Sequence, residues 1–225
     1  MTQSWSQPHS RRAPRARQEL SETDPAFAAL ALWCHHRDAD WDTGPANSDG
    51  HTIRYGPMFE NLSLDEQMGL CAHHVLHVAL RHSARATALE LRLGPMFDAD
   101  LFGITADVLI NETLVQSGYI QPRPHVGFAT IAAEIDAQGP LDLLRQFDAE
   151  RLFMALLSER DARDAGTGKT ERIKALSGAD GFRPDLASAP TGEEGDEETP
   201  EARDFEWRQH LARARILWNE QINLA

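Results

Sequence analysis

The sequence has few of the features that mark secreted or membrane proteins. It contains two cysteines in 225 residues, too few for a disulfide scaffold, which favours a reduced compartment. No run of about 18 apolar residues is present, so we expect no membrane-spanning helix. The arginine-rich N-terminus is not followed by an apolar stretch, so it does not predict a secretory signal. These absences predict a cytoplasmic protein.

An excess of positive charge is also lacking. The chain has 22 Lys and Arg against 35 Asp and Glu, and its formal net charge is −13. Nucleic acid, a polyanion, is therefore a disfavoured partner. Hydrophobic residues make up 41% of the chain. This composition predicts one domain of medium size with tails.

Composition divides the chain into four parts. Residues 1–20 are rich in Arg and Ser and are predicted to be a disordered arm. Residues 21–160 carry the apolar periodicity of a folded domain. Residues 161–203 contain many Gly and Pro and a run of acidic residues, and are predicted to be an acidic flexible linker. Residues 204–225 regain helical periodicity, which predicts a C-terminal amphipathic helix that docks on the domain or on a partner.

Start, stop and turn residues predict that this domain is mostly helical with a short sheet. Residues 40–50 are rich in turn formers, and 51–55 alternate as a short strand. The histidine pair at 35–36 is interpreted as a helix C-cap or surface pair. Ser63 and Glu66 form an S-x-x-E capping box at the start of a helix. The predicted helices cover 26–36, 64–82, 85–93, 98–117, 128–135 and 140–157.

The helix over 64–82 carries two histidines at metal-binding spacing. His73 and His77 are four residues apart, so their side chains differ by about 40° in direction and project from one helix face. Imidazole suits Zn²⁺, and a catalytic zinc site uses three protein ligands. Asp107 is the best third candidate, because a lone carboxylate in the apolar stretch 104–110 would be costly to bury. Asn111, one turn further on, is expected to orient a ligand by hydrogen bonding.

Alternatives to this ligand set stay open from the sequence. His82 is a rival third ligand, but it lies about 140° round the helix from His77 and could bind only if the helix ended first. Asp107 could instead form a salt bridge with Arg81 or Arg85. A helical scaffold without a metal is a further alternative, since His pairs at this spacing also occur as ordinary helix residues.

The residue after the first histidine decides which chemistry the site supports. In H-E-x-x-H hydrolases it is a Glu that takes a proton from the metal-bound water. Here it is His74. Imidazole can act as a base near neutral pH, so His74 is the candidate catalytic residue. Because its reach and charge differ from those of Glu, we expect weak, altered or lost hydrolysis.

Three motifs connect the segment 53–119 with a known family. They are Tyr55-Gly56-Pro57-x-Phe59, His73-x-x-x-His77-Val78-Ala79-Leu80-Arg81-His82-x-x-Arg85 and Ala106-Asp107-Val108-Leu109-Ile110-Asn111. With them the segment resembles a metallopeptidase domain at the N-terminus of bacterial proteins that end in a von Willebrand factor A-like domain and accompany MoxR-type AAA+ ATPases. The resemblance implies Zn²⁺ as cofactor and His73, His77 and Asp107 as its ligands. It also implies a peptide or protein substrate if the site is active, and an AAA+ ATPase or A-domain protein as partner.

Together these features predict an α+β, mostly helical, zincin-like fold with a short β-sheet and a metal-bearing active-site helix. The predicted function is a zinc-binding metallopeptidase-like protein with an H-H-x-x-H variant of H-E-x-x-H and weak or altered peptide hydrolysis. The alternative is a catalytically inactive, metal-stabilised adaptor for an AAA+ ATPase or A-domain partner. A metal with bound water in an open cleft would favour hydrolysis, whereas four protein ligands would favour a structural role.

Overall fold

The computed structural model describes residues 9–40, 44–157, 173–175, 178 and 186. The helices are α1 (Pro14–Thr23), α2 (Pro25–Ala31), α3 (Leu64–Ala79), α4 (His82–Leu93), α5 (Ala99–Gln116), α6 (Phe128–Ile131), α7 (Pro140–Gln146) and α8 (Ala149–Leu157). The strands are β1 (His35–Asp38), β2 (Ala46–Ser48) and β3 (Thr52–Tyr55). This mostly helical α+β architecture with a small sheet confirms the predicted fold class. The zincin-like topology stays a prediction.

The three strands form one small sheet in the order β1–β3–β2. Strand β1 runs parallel to β3, and β2 runs antiparallel to it with Ser48 opposite Ile53. Because β3 is the central strand, Ile53 and Tyr55 are fully buried. Strand β2 packs against α3, so the sheet brings Ser48 next to the helix that carries the histidines.

Helix α3 is fixed at its start and along one face. The Ser63 hydroxyl accepts a hydrogen bond from the Glu66 amide, and the Glu66 carboxylate accepts one from the Ser63 amide, which confirms the predicted capping box. In the second turn of α3, Gly69 lies against the chain that follows α5. A Cβ atom at Gly69 would lie 1.8 Å from the Ile120 carbonyl oxygen. The absence of a side chain there permits the close approach.

Helix α5 joins two hydrophobic cores. Ile110 and Leu114, near its C-terminus, belong to a core formed with α1, α2, α3 and the sheet. Phe102 and Val108, nearer its N-terminus, belong to a core formed with α4, α7 and α8. Residues 101–108 of α5 are all buried, as expected for a helical stretch with apolar residues on every side. Asp107 and Asn111 therefore lie inside the protein.

The prediction of a disordered arm over residues 1–20 is wrong for residues 9–20. These residues include most of α1, whose Ala13, Ala16 and Leu20 side chains are fully buried, and α1 packs against α3. Ser10 ties the segment to the sheet by donating a hydrogen bond to Asp38 at 2.5 Å. Alanine contributes little to a hydrophobicity signal, yet its small size lets two helices approach closely. Residues 1–8 lie outside the described part.

Several element boundaries also differ from the predictions. The first predicted helix ends at Ala31, and His36 lies in β1, where it is buried and within 2.9 Å of the Tyr55 hydroxyl. The turn-rich stretch 40–50 contains β2. The helix predicted over 64–82 ends at Ala79, and that over 140–157 is two helices. Pairing with a distant strand or packing on a core decides these boundaries, and local sequence does not contain that information.

The predicted linker over 161–203 packs on the domain where it is described. Ile173 is fully buried in the second core, and Lys174 forms an ion pair with Asp98 at 2.8 Å. Ile173 and Lys174 are therefore part of the fold rather than of a free linker. The rest of the stretch and the predicted helix over 204–225 lie outside the described residues. Within the described part, no helix is both long and apolar enough to cross a membrane.

Candidate metal centre

Helices α3 and α5 bring the three predicted ligands together. His73 and His77 lie one turn apart on α3, and their Nε2 atoms are 2.9 Å apart. Asp107 on α5 places Oδ1 2.8 Å from His77 Nε2 and 3.6 Å from His73 Nε2. Each side chain can turn one ligand atom toward a common point, with all three atoms within 4.8 Å of one another. The structure thus assembles residues that the sequence separates by some 30 positions.

The spacing of these three atoms suits a small divalent ion. Two ligands bound tetrahedrally at zinc's usual distance of about 2.0–2.1 Å are roughly 3.3 Å apart. The three observed separations lie on both sides of that value. Two imidazole nitrogens and one carboxylate oxygen are also a common catalytic zinc ligand set. The residues present therefore fit a metal ion of this kind.

Asn111 orients the first histidine. Its side-chain amide donates a hydrogen bond to the Val126 carbonyl at 2.8 Å, which turns its Oδ1 toward His73. That oxygen lies 2.8 Å from His73 Nδ1 and accepts a hydrogen bond from it. With Nδ1 protonated, the lone pair of neutral His73 is on Nε2, the atom that faces Asp107. This is the arrangement the sequence predicted for Asn111.

His82 lies behind His77 rather than beside the other ligands. Its Nδ1 is 3.2 Å from His77 Nδ1, on the side of the ring opposite the ligand atom. His82 is therefore outside the group of three that could share an ion. Burial, and then the neighbouring His77, lowers the pKa of His82 from 6.5 to about 2. The ring is neutral at physiological pH.

The structure does not show the alternative salt bridge between Asp107 and Arg85. The Arg85 guanidinium forms an ion pair with Glu150 on α8. Arg81 is exposed, whereas Asp107 is fully buried between the two histidines.

His74 contacts strand β2, through a residue that sequence reasoning did not identify. Its Nδ1 lies 3.2 Å from the Ser48 hydroxyl, and both side chains are fully buried. His74 also stays outside the ligand group, although its ring centre is only 5.2 Å from that of His73. Ser48 sits in a stretch that resembles an ordinary loop, so no sequence signal marks it.

The site is enclosed. His73, His77 and Asp107 are 3%, 1% and 0% exposed. Nearby Cys71, also on α3, is fully buried, and burial raises its thiol pKa to about 12. A protonated, inaccessible thiol is not a nucleophile, so the chemistry of this region rests on the imidazole and carboxylate groups.

Comparison with known proteins identifies one family. The model of a family described as "Putative metallopeptidase domain" matches residues 8–217. The match includes residues 8–20 of the predicted arm, all three candidate ligands and most of the C-terminal stretch. No curated protein matches this chain. No solved structure matches it either.

Proposed function

This chain belongs to that metallopeptidase domain family, and from this premise we propose that it binds one Zn²⁺ through His73, His77 and Asp107. We further propose that it hydrolyses peptides far more slowly than an H-E-x-x-H enzyme. A possible His-His-Asp metal site and the family both support a metal-binding, peptidase-like protein. The choice of zinc and the reduced rate are the parts that need testing.

The convergence of three ligand atoms in the protein interior carries the zinc proposal. A buried carboxylate needs compensating positive charge or hydrogen bonds, and a divalent ion between Asp107 and the two imidazoles provides it. His73 and His77 lie on α3, and Asp107 lies in the stretch 101–108 of α5, which is buried throughout. The two helices place the three ligand atoms so close together that small side-chain adjustments are enough for binding.

The slow rate follows from His74. A bound zinc ion polarises a peptide carbonyl and lowers the pKa of its water ligand. In an H-E-x-x-H enzyme the Glu then accepts a proton from that water. In this chain His74 directs Nδ1 toward Ser48, and a neutral imidazole lacks the negative charge that helps a carboxylate to accept a proton. A general base contributes about 10²–10⁴-fold to such a rate, and most of that is expected to be missing.

Enclosure of the ligands supports a second candidate, a metal-stabilised adaptor without hydrolytic activity. All three ligand side chains are buried, so no ligand presents itself to a substrate at the surface. An adaptor of this kind would use zinc to hold α3 and α5 together. Its partner would be an AAA+ ATPase or a von Willebrand factor A-like protein.

A restoration experiment separates the two candidates. Zinc content and hydrolysis of a fluorogenic peptide library are measured for the wild type, His74→Glu, and His74→Gln as the uncharged variant of equal length. We expect one zinc per chain in all three, and hydrolysis by His74→Glu at least about 100 times that of the other two. His77→Ala added to His74→Glu should abolish both binding and hydrolysis.

Three results would change this conclusion. Less than one zinc per wild-type chain refutes the zinc proposal. Wild-type hydrolysis as fast as that of His74→Glu refutes the slow-rate proposal. A folded, zinc-loaded His74→Glu variant without activity favours the adaptor.

A further inference from the structure

We propose that His82 is a positioning residue that sets the protonation pattern of His77, and that zinc affinity depends on it. The inference rests on the proposed zinc site and adds to it a residue that binds no metal. A metal-binding histidine needs a lone pair on the nitrogen that faces the ion, and the other nitrogen then carries the proton. The group that accepts a hydrogen bond from this second nitrogen fixes the tautomer and the orientation of the ring.

The distances assign this role to His82. His77 Nε2 faces the other two ligands, at 2.9 Å from His73 Nε2 and 2.8 Å from Asp107 Oδ1. A neutral imidazole has one donor and one acceptor nitrogen. If Nε2 binds the ion, Nδ1 must donate, and the atom opposite it is His82 Nδ1 at 3.2 Å. His82 is then the acceptor, with its own proton on Nε2.

The arrangement at His73 is a precedent within the same site. There Asn111 Oδ1 accepts the hydrogen bond from Nδ1, and the orientation of the Asn111 side chain is fixed by its hydrogen bond to Val126. Both candidate histidine ligands therefore have an acceptor behind Nδ1 and present Nε2 to the same point. His82 does for His77 what Asn111 does for His73.

A break in the helix puts His82 in this place. In a continuous helix, a residue five positions after His77 would point about 140° away. Helix α3 ends at Ala79, and Arg81 takes the left-handed conformation with φ 56° and ψ 38° before α4 begins at His82. This conformation is unfavourable for any residue with a side chain. The turn redirects His82 into the interior, where it is 1% exposed and packs edge-on against Phe102.

Two substitutions of similar size test the role. Asparagine carries Oδ1 on the same γ carbon that bears Nδ1 in histidine, so His82→Asn keeps an acceptor, whereas His82→Leu removes it. Zinc affinity is measured by competition with a chromophoric chelator, and folding by thermal unfolding in EDTA. We expect His82→Leu to weaken zinc binding by about 10–100-fold, the usual effect of losing such a partner. His82→Asn should stay within about threefold of the wild type, as should the control His35→Leu, at an exposed strand position.

The outcomes distinguish this inference from the zinc proposal itself. If neither the wild type nor His35→Leu binds zinc, both the zinc proposal and the proposed role of His82 are overturned. Normal wild-type binding with unchanged affinity in His82→Leu overturns the role of His82 alone, and so does equal weakening in both His82 variants. If His82→Leu does not fold, nitrogen NMR of the zinc-loaded wild type tests the role of His82 instead, by showing which ring nitrogens carry protons. The inference requires a proton on His77 Nδ1 and on His82 Nε2, and a proton on His82 Nδ1 overturns it.

Discussion

Replacement of Asp107 by asparagine is expected to change stability in opposite directions with and without zinc. Asp107 is fully buried and contacts the imidazoles of His73 and His77. Asparagine has nearly the same shape and keeps an acceptor oxygen, but it removes the charge. Taking an ionised carboxylate out of water costs several kcal/mol, and the two imidazoles beside Asp107 offset only part of that cost. The metal-free variant should therefore exceed the wild type in stability by about 1–3 kcal/mol.

Zinc should reverse this order. At free zinc of roughly a thousand times Kd, binding adds about 4 kcal/mol to the free energy of unfolding. An amide oxygen is a much weaker zinc ligand than a carboxylate, so Asp107→Asn should gain less than about 1 kcal/mol at the same zinc concentration. The wild type would then be the more stable protein in zinc and not in EDTA.

Urea unfolding followed by circular dichroism, in EDTA and in buffered zinc, measures both differences. Asp100→Asn serves as the control, since this residue lies on the same helix with a side chain that is 70% exposed. Its effect should be small and equal in the two conditions. A loss of several kcal/mol for Asp107→Asn in EDTA, with an undiminished response to zinc, would refute the reasoning. Asp107 would then be a structural hydrogen-bond acceptor.

Three further predictions concern the fold around the site. Gly69→Ala should lower the free energy of unfolding by at least about 2 kcal/mol in urea titrations, because its methyl group would collide with the Ile120 carbonyl; a change below about 0.5 kcal/mol would contradict this close approach. Arg81→Gly should raise stability by about 0.5–1 kcal/mol in thermal unfolding, because glycine adopts positive φ without strain, and a loss would contradict the assigned turn. Burial lowers the pKa of His36 from 6.5 to about 3, so the folded state resists protonation while the unfolded state does not. The stability that neutral, buried His36 contributes is therefore complete above pH 6.5 and falls by about 1.4 kcal/mol per pH unit toward pH 3. A His36→Asn variant whose stability depends on pH in the same way as the wild type would contradict this.

The three candidate ligands could be predicted because each has a local signature. His73 and His77 have helical spacing, and Asp107 is a carboxylate in an apolar stretch, where burial has a cost that some partner must offset. Asn111 could be predicted to orient a ligand because it lies one helical turn after Asp107. Both helices can be recognised from local sequence, α3 by its capping box and α5 by a long apolar stretch.

The rest of the site depends on tertiary structure. The left-handed conformation of Arg81 has no sequence signal, so the sequence alone indicates His82 as a rival ligand and not as a partner of His77. Ser48 reaches His74 only because β2 pairs with β3 and packs on α3. Helix α1 has alanines where a hydrophobicity pattern would look for larger side chains, and its burial follows from close packing against α3.

The most direct test of the proposed zinc site is anomalous diffraction at the zinc absorption edge from crystals of the zinc-loaded protein. We predict one peak per chain, about 2.0–2.2 Å from His73 Nε2, His77 Nε2 and one Asp107 carboxylate oxygen, with His82 outside bonding distance. A peak coordinated by His82 in place of Asp107, or no peak between α3 and α5, would contradict it.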